Sequence, residues 1–209
     1  MEIEEYIEQH IDPEGDYLHR LYRATQTQLL YGRMASGHVQ GRLLKMLVEM
    51  IRPKQVLEIG TYSGYSALCM AEGLTEGGMV HTIEIFDELE DFTRPWIENS
   101  PWADKIKFYI GDAMEIVPQL NIKFDLAFID GNKRMYSGFY NMVMLHMNKG
   151  GFIIADNTLW DGHVLEEKPV NDAQTQGVMD FNDLVAKDTR VEKVILPIRD
   201  GLTIIRCKQ

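Results

Sequence analysis

Three oxygen-bearing side chains close two apolar segments of this sequence: Asp130 follows LAFI, and Asp156 with Asn157 follows FIIA. Two carboxylates and one amide carbonyl are hard donors that suit magnesium, manganese or calcium, and they leave positions open for water and a further ligand. No His or Cys stands beside them to favour zinc. Two carboxylates would roughly neutralise a divalent cation, yet an ionised hydroxyl beside it would still be strongly favoured. Lys133 lies three residues beyond Asp130. A neighbouring cation pushes a lysine pKa down, so Lys133 is the candidate for taking up a proton near neutral pH. Taken singly, Lys133 also reads as a solvated lysine, and Asp156-Asn157 as a turn or helix cap. Their coincidence favours a site.

A second constellation surrounds VLEIGTYSGYS, which reads as a strand, a tight turn and a helix. Gly60 and Gly64 would let the backbone pass close to a ligand with no Cβ in the way. Their spacing is Gly-x-x-x-Gly, not the Gly-x-Gly-x-x-Gly that seats a pyrophosphate on a helix N-terminus. Glu58 precedes the loop and suits an ammonium group better than a phosphate. Glu84 comes 26 residues after Glu58 and ends the next apolar run, where a carboxylate can accept both hydroxyls of a ribose. A nucleoside with an amino-acid end and no phosphate is S-adenosylmethionine. The competing reading is a structural turn with two incidental acids.

These residues need a scaffold. Residues 1 to about 50 read as helical, with Leu43, Leu44, Leu47, Val48 and Ile51 on one apolar face. From Gln55 onward short apolar runs (VLEI, MVHTIEI, IKFYI, FDLAFID, GFIIAD) alternate with helical stretches. One helix carries Tyr136, Phe139, Tyr140, Val143, Met144 and Met147 on a face and is expected to stop at Gly150-Gly151. Such alternation predicts parallel strands buried on both faces. EKVILPI and GLTIIRC flank Arg199-Asp200-Gly201 and predict an antiparallel hairpin. The expected architecture is a doubly wound, Rossmann-like α/β fold: a mostly parallel seven-stranded sheet with a C-terminal antiparallel hairpin. No repeat or linker divides the chain, so 1–209 reads as a single domain, 1–50 a helical cap and 51–209 the core. In this fold ligands gather at the carboxyl ends of the strands, where the polar clusters 58–64, 130–133 and 156–157 fall.

The formal charge of −11 weighs against generic nucleic-acid binding, although Arg20, Arg23, Arg33 and Arg42 would form a local basic rim on the N-terminal helices. The acidic, polar N-terminus is unlike a signal peptide, and no apolar run is long enough to cross a bilayer. The two cysteines, Cys69 and Cys207, form no disulfide or zinc pattern. These features predict a cytoplasmic protein with no membrane partner.

VLEIGTYSGYS, the Glu84 strand end, GDA at 111–113, IDGNK and ADNTLW stand in the order seen in the cation-dependent O-methyltransferases, which this sequence resembles from about Met34 to its end. That family includes the catechol and caffeoyl-CoA types. The resemblance implies that Glu58, Ser66 and the loop from Gly60 through Tyr62 to Gly64 hold the methionine part of S-adenosylmethionine. It places Glu84 on the ribose and Asp112 with Ala113 beside the adenine. Asp130, Asp156 and Asn157 match the Mg2+ (or Mn2+ or Ca2+) ligands, with Asp130 also bordering the cofactor, and Lys133 matches the general base. Met34 and SGHVQG match a segment that closes over cofactor and substrate. Trp160 matches the aromatic beside the acceptor, with Lys133 and Asn157 also facing it. The implied acceptor is a small aromatic vicinal diol, and the implied assembly is a homodimer. One departure limits the transfer: Gly131-Asn132 precedes the lysine, where the animal catechol enzymes have a bulky residue and the caffeoyl-CoA type usually has Ala-Asp. Acceptor preference therefore does not carry over, and the pocket walls, expected from the N-terminal segment and from Trp160 to Gly177, hold no diagnostic motif. The rival readings are O-methylation of a hydroxylated base in transfer RNA, an NAD-type oxidoreductase, and a non-catalytic cofactor-binding protein.

Overall fold

The computed structural model describes residues 3–166 and 172–208. In chain order the helices and strands are α1 (Ile3–His10), α2 (Asp16–Gln28), α3 (Gly37–Ile51), β1 (Gln55–Ile59), α4 (Tyr65–Gly73), β2 (Met79–Glu84), α5 (Glu90–Glu98), β3 (Ile106–Ile110), α6 (Ala113–Leu120), β4 (Phe124–Ile129), α7 (Tyr136–His146), β5 (Met147–Asp156), α8 (Ala173–Lys187), β6 (Val191–Leu196) and β7 (Leu202–Cys207). The strand order is β3-β2-β1-β4-β5-β7-β6, seven strands in one sheet. Strands β2 and β3 pair in parallel, as do β1 with β4 and β4 with β5, whereas β7 runs antiparallel to both β5 and β6. This is the doubly wound sheet with a terminal hairpin that the apolar periodicity predicts. Among the described residues no helix is long and apolar enough to cross a membrane.

The chain divides into two compact units, Met1–Lys54 with Thr61–Ile110, and Gln55–Gly60 with Gly111–Gln209. In the first, α2 buries Leu18, Leu21, Ala24 and Thr25, and α3 buries Leu44 and Val48, at the three- and four-residue spacing of a helix face. Helix α3 ends where Arg52 turns left-handed and donates its N–H to Val48 O at 2.8 Å, just before Pro53. In the second unit β4 is inaccessible at Phe124 and from Leu126 to Ile129, as expected of a strand covered on both faces. Phe181 of α8 packs edge-on against Tyr136 and Tyr140 of α7, at centroid distances of 5.5 and 5.9 Å.

One expectation needs correcting. Gly150-Gly151 does not end the helix, because α7 stops at His146 and Met147 already lies in β5. Met147 pairs with Phe124 while Phe152 pairs with Leu126, so the intervening residues bulge out of the ladder. Gly150 takes a φ of +80° there, and a Cβ at Gly151 would lie 3.0 Å from the carbonyl oxygens of Asn148 and Asp125. The glycine pair serves a strand bulge rather than a helix cap.

Candidate functional site

The second unit holds the oxygen ligands and the lysine. Ile129 of β4 stands opposite Ala155 of β5, so the next residues, Asp130 and Asp156, leave neighbouring strand ends, which lie ~4.8 Å apart in a parallel sheet. Asp130 is also fastened to β1 by its N–H to Ile59 O at 2.9 Å. Burial, with the charge of Asp156 adding to it, pushes the Asp130 carboxyl up to about 6 against the opposing pull of Lys133 and Arg199. Lys133 Nζ donates to Asp130 Oδ1 at 2.8 Å and lies 5.0 Å from the centre of the Tyr136 ring and 6.0 Å from that of Trp160. Burial disfavours the lysine's charge, but the carboxylate of Asp130 prevails and holds Lys133 well above the ordinary lysine range. The lowered pKa expected of Lys133 presupposes a cation; with Asp130 alone the lysine stays charged.

Two features keep Lys133 in place. Asn132 Oδ1 accepts the Arg134 N–H at 3.2 Å and caps the 3-10 turn Lys133–Met135. Gly177 of α8 packs so closely that a Cβ there would lie 2.4 Å from Lys133 O. Gly131 is confined less tightly, with side-chain atoms of Phe139 3.0 Å and Ile59 3.2 Å from its would-be Cβ, which accounts locally for a small residue one place before Asn132. Asn157 and Trp160 have left-handed φ angles of 54° and 48°. The Asp172 carboxylate caps α8 through the N–H groups of Gln174 and Thr175. Among the described residues no group of three or more His, Cys, Asp or Glu gathers, so a cation would rest on the two carboxylates and the Asn157 amide. That donor set fits a hard ion, and the half-buried Asp130 next to the buried Asp156 favours positive charge there.

Glu58, Gly60, Asp112 and Ala113 also belong to this unit. Glu58 is buried on β1 opposite Phe128. Gly60 has a φ of +99°, and its would-be Cβ points at Asp130 O, 2.3 Å away. The chain's own backbone thus already demands a glycine here. Asp112 is exposed and caps α6, accepting the Met114 N–H at 2.8 Å.

The first unit assembles the remaining candidates around Glu84. Its carboxylate accepts the Tyr62 N–H at 2.8 Å and the Phe86 N–H at 3.0 Å. Each oxygen keeps a second lone pair for a further donor. Tyr62 sits at a φ of +48°, held by Thr93 Oγ1 on its carbonyl at 2.5 Å. Met34, which ends the 3-10 turn that begins at Gly32, is exposed. Gly64, at a φ of +83°, opens α4, and Ser66 is nearly buried in its first turn. Ser63 Oγ is buried with no hydrogen-bond partner among the described residues, so this loop holds a polar group ready for a ligand.

Arg42 departs from expectation. It does not join Arg20, Arg23 and Arg33 in an exposed rim, because it is buried against Glu72, with hydrogen bonds of 3.2 and 2.6 Å. Residues 167–171, within the expected acceptor wall from Trp160 to Gly177, lie outside the described residues. Sequence reasoning also missed Tyr136, whose inaccessible hydroxyl lies 3.3 Å from Ile129 O and 3.0 Å from Asp156 O and so ties the two ligand-bearing strand ends. Its one signal is a tyrosine three residues after the lysine, on an otherwise apolar helix face.

A doubly wound sheet whose strand ends carry a lysine and paired carboxylates defines an α/β enzyme. The chain belongs to the O-methyltransferase family, whose model it matches over residues 8–208. It is 33% identical over 207 residues to the caffeoyl-CoA O-methyltransferase of Populus kitakamiensis, covering 92% of this chain and 87% of that protein. To tricin synthase 2 of Oryza sativa subsp. japonica it is 33% identical over 204 residues, covering 92% and 70%. Among solved structures it resembles an O-methyltransferase from Bacillus cereus in complex with SAH, with a TM-score of 0.88, 26% identity and coverage of 98% and 96%. An SAH-bound methyltransferase of Podospora anserina gives a TM-score of 0.90, 27% identity and coverage of 99% and 94%. The chain is therefore an O-methyltransferase of the caffeoyl-CoA type, as its motifs imply.

Proposed function

We propose that this enzyme transfers the methyl group of S-adenosylmethionine to one of two neighbouring hydroxyls on a small aromatic acceptor, with a divalent cation, Mg2+ foremost, held by Asp130, Asp156 and Asn157. The observation that carries this reading is the pair of carboxylates at adjacent strand ends with the buried Lys133 on one of them. A cation there supplies charge that favours an ionised hydroxyl and offsets the Asp130 charge that keeps Lys133 protonated. Lys133, once neutral, takes the hydroxyl proton on Nζ. The acceptor oxygen then bonds the methyl carbon as the carbon–sulfur bond breaks, its electrons going to sulfur. Trp160 offers an aromatic face beside Lys133 for the acceptor ring.

For the methyl donor, we assign Glu58, Gly60, Tyr62, Gly64 and Ser66 to the methionine part, Glu84 to the ribose, Asp112 and Ala113 to the adenine, and Met34 to the covering segment. The unpartnered Ser63 Oγ, the spare lone pairs of Glu84 and the SAH complexes of similar proteins support this assignment. A homodimer using the exposed Ile3, Tyr6 and Ile7 of α1 and a cytoplasmic site of action complete the reading; the buried free thiols of Cys69 and Cys207 suit a reducing compartment. Transfer RNA as acceptor is disfavoured by the loss of Arg42 from the basic rim.

The test is transfer of labelled methyl from S-adenosylmethionine to catechols, caffeoyl esters, flavonoids and bulk transfer RNA, with magnesium and with excess chelator. Activity is expected on a vicinal-diol aromatic and only with the cation. Full activity of Asp130→Ala in excess chelator would sink the metal role, and labelling of RNA alone would sink the acceptor class.

A further inference from the structure

Helix α5 reaches the loop assigned to the methyl donor through one buried threonine. Thr93 is inaccessible to solvent, and a helical threonine ordinarily turns its hydroxyl back on a carbonyl three or four residues earlier. Here the hydroxyl instead crosses to the Tyr62 carbonyl, at 2.5 Å. The Gly64 N–H on Thr61 O, at 2.8 Å, closes the four-residue turn to which Tyr62 belongs. Tyr62 holds the first inner position at a φ of +48°, a conformation that such turns reserve mainly for Gly, Asn or Asp. A tyrosine is strained there and stays only where its surroundings over-determine it. Its two backbone groups meet that need: the N–H donates to Glu84 Oε2 at 2.8 Å, and the carbonyl accepts from Thr93. The other Glu84 oxygen, Oε1, accepts the Phe86 N–H at 3.0 Å. Thr93 and Glu84 thus clamp one residue from its two ends.

We propose that Thr93 is a positioning residue for the methyl donor: its hydroxyl holds Tyr62 in the left-handed turn, so that the Tyr62 N–H sets the Glu84 carboxylate with its remaining lone pairs free for the ribose hydroxyls. This role rests on the assignment of Glu84 to the ribose made above. It gives the hydroxyl a purpose that the packing of α5 does not require. The Thr93 methyl group alone fills the space against Gly64, 3.4 Å from where a Cβ there would stand.

The test uses the full-length protein and two probes, S-adenosylhomocysteine and its analogue lacking both ribose hydroxyls, with binding followed by calorimetry. Thr93→Ala and Thr93→Ser both lose the methyl group and differ only in the hydroxyl. Thr93→Ser should bind S-adenosylhomocysteine nearly as the wild type does, and Thr93→Ala about 5-fold more weakly, the equivalent of one ordinary hydrogen bond. Alanine suits a helix interior, so the melting transition should stay cooperative. If Thr93→Ala does not fold, Thr93→Val, which refills the volume but cannot donate, carries the comparison. The analogue offers Glu84 no hydroxyl, so all these proteins should bind it alike, whereas a general loosening of the fold would weaken both probes equally. Undiminished S-adenosylhomocysteine affinity without the Thr93 hydroxyl, or equal losses for the two probes, overturns the role of Thr93. Equal affinity of the wild type for the two probes overturns instead the ribose assignment on which it rests.

Discussion

At the scale of single residues, the lysine owes its position to groups that carry no chemistry of their own. Gly177 is the sharpest case, since a methyl group there would sit 2.4 Å from Lys133 O, backbone against backbone, with no flexible side chain to yield. Gly177→Ala should therefore move the Lys133 turn away from α8. Overpacking of this kind costs about 1–3 kcal/mol in stability, and kcat should fall while the affinity for S-adenosylmethionine stays near wild type. A variant with unchanged kcat would show that the turn tolerates the shift. Tyr136 acts from the other side through its hydroxyl between Ile129 O and Asp156 O. Tyr136→Phe keeps the ring against Phe181 and removes only that tie, so a loss of about 1–2 kcal/mol is expected in denaturant unfolding, together with a lower kcat. A fall in stability without a fall in kcat would make the tyrosine a packing residue only. Neither role is written in the local sequence. The Asp, Asn and Lys that do chemistry announce themselves by type and spacing, whereas Gly177 and Tyr136 acquire importance only through what the fold brings opposite them.

At the scale of elements, the periodicity of apolar residues locates every strand, because β1, β4 and β5 are covered on both faces and need continuous hydrophobic runs to be so. It fails at Gly150-Gly151, where the pairing of Met147 with Phe124 prevails over a local signal that equally well describes a helix end. It also misplaces Arg42. On a helical projection an arginine beside Leu43 and Leu44 reads as solvated, but α4 presents Glu72 to it. The bidentate pair then fastens α3 to α4 with little water about it. Removing one partner leaves the other charge buried, which costs about 3–5 kcal/mol when the pair is fully enclosed. Glu72 keeps some exposure and Lys45 also reaches it, at 3.8 Å, so Glu72→Ala should cost about 2 kcal/mol, below that range. Arg42→Ala should lower the melting temperature in the same way and leave RNA binding where it was. A selective loss of RNA binding with stability intact would return Arg42 to the basic rim and revive transfer RNA as an acceptor.

For the molecule as a whole, the response to acid separates a diffuse effect from a local one. The formal charge is −11 at pH 7 and the isoelectric point is near 5.0, so acidification first relieves general self-repulsion. Against that trend stands His81 on β2, nearly inaccessible, with Nδ1 3.0 Å from the Tyr109 hydroxyl. Burial, and secondarily the charge of Lys107 on β3, push its pKa down from 6.5 to about 4. The folded protein thus keeps this imidazole neutral while the unfolded chain protonates it. Its contribution to stability is complete above pH 6.5, drains away as the pH falls from 6.5 to about 4, and changes no further below that. A displacement of that size corresponds to a loss of roughly 3 kcal/mol across the window. The expected observation is a steeper fall in unfolding free energy for the wild type than for His81→Gln between those limits, in dilute solution so that association near the isoelectric point does not intrude. Methyl transfer at pH 7 and above should be the same for both, since His81 takes no part in the proposed chemistry. Parallel profiles would mean that the imidazole is protonated in the folded state and that the acid sensitivity of this protein lies elsewhere.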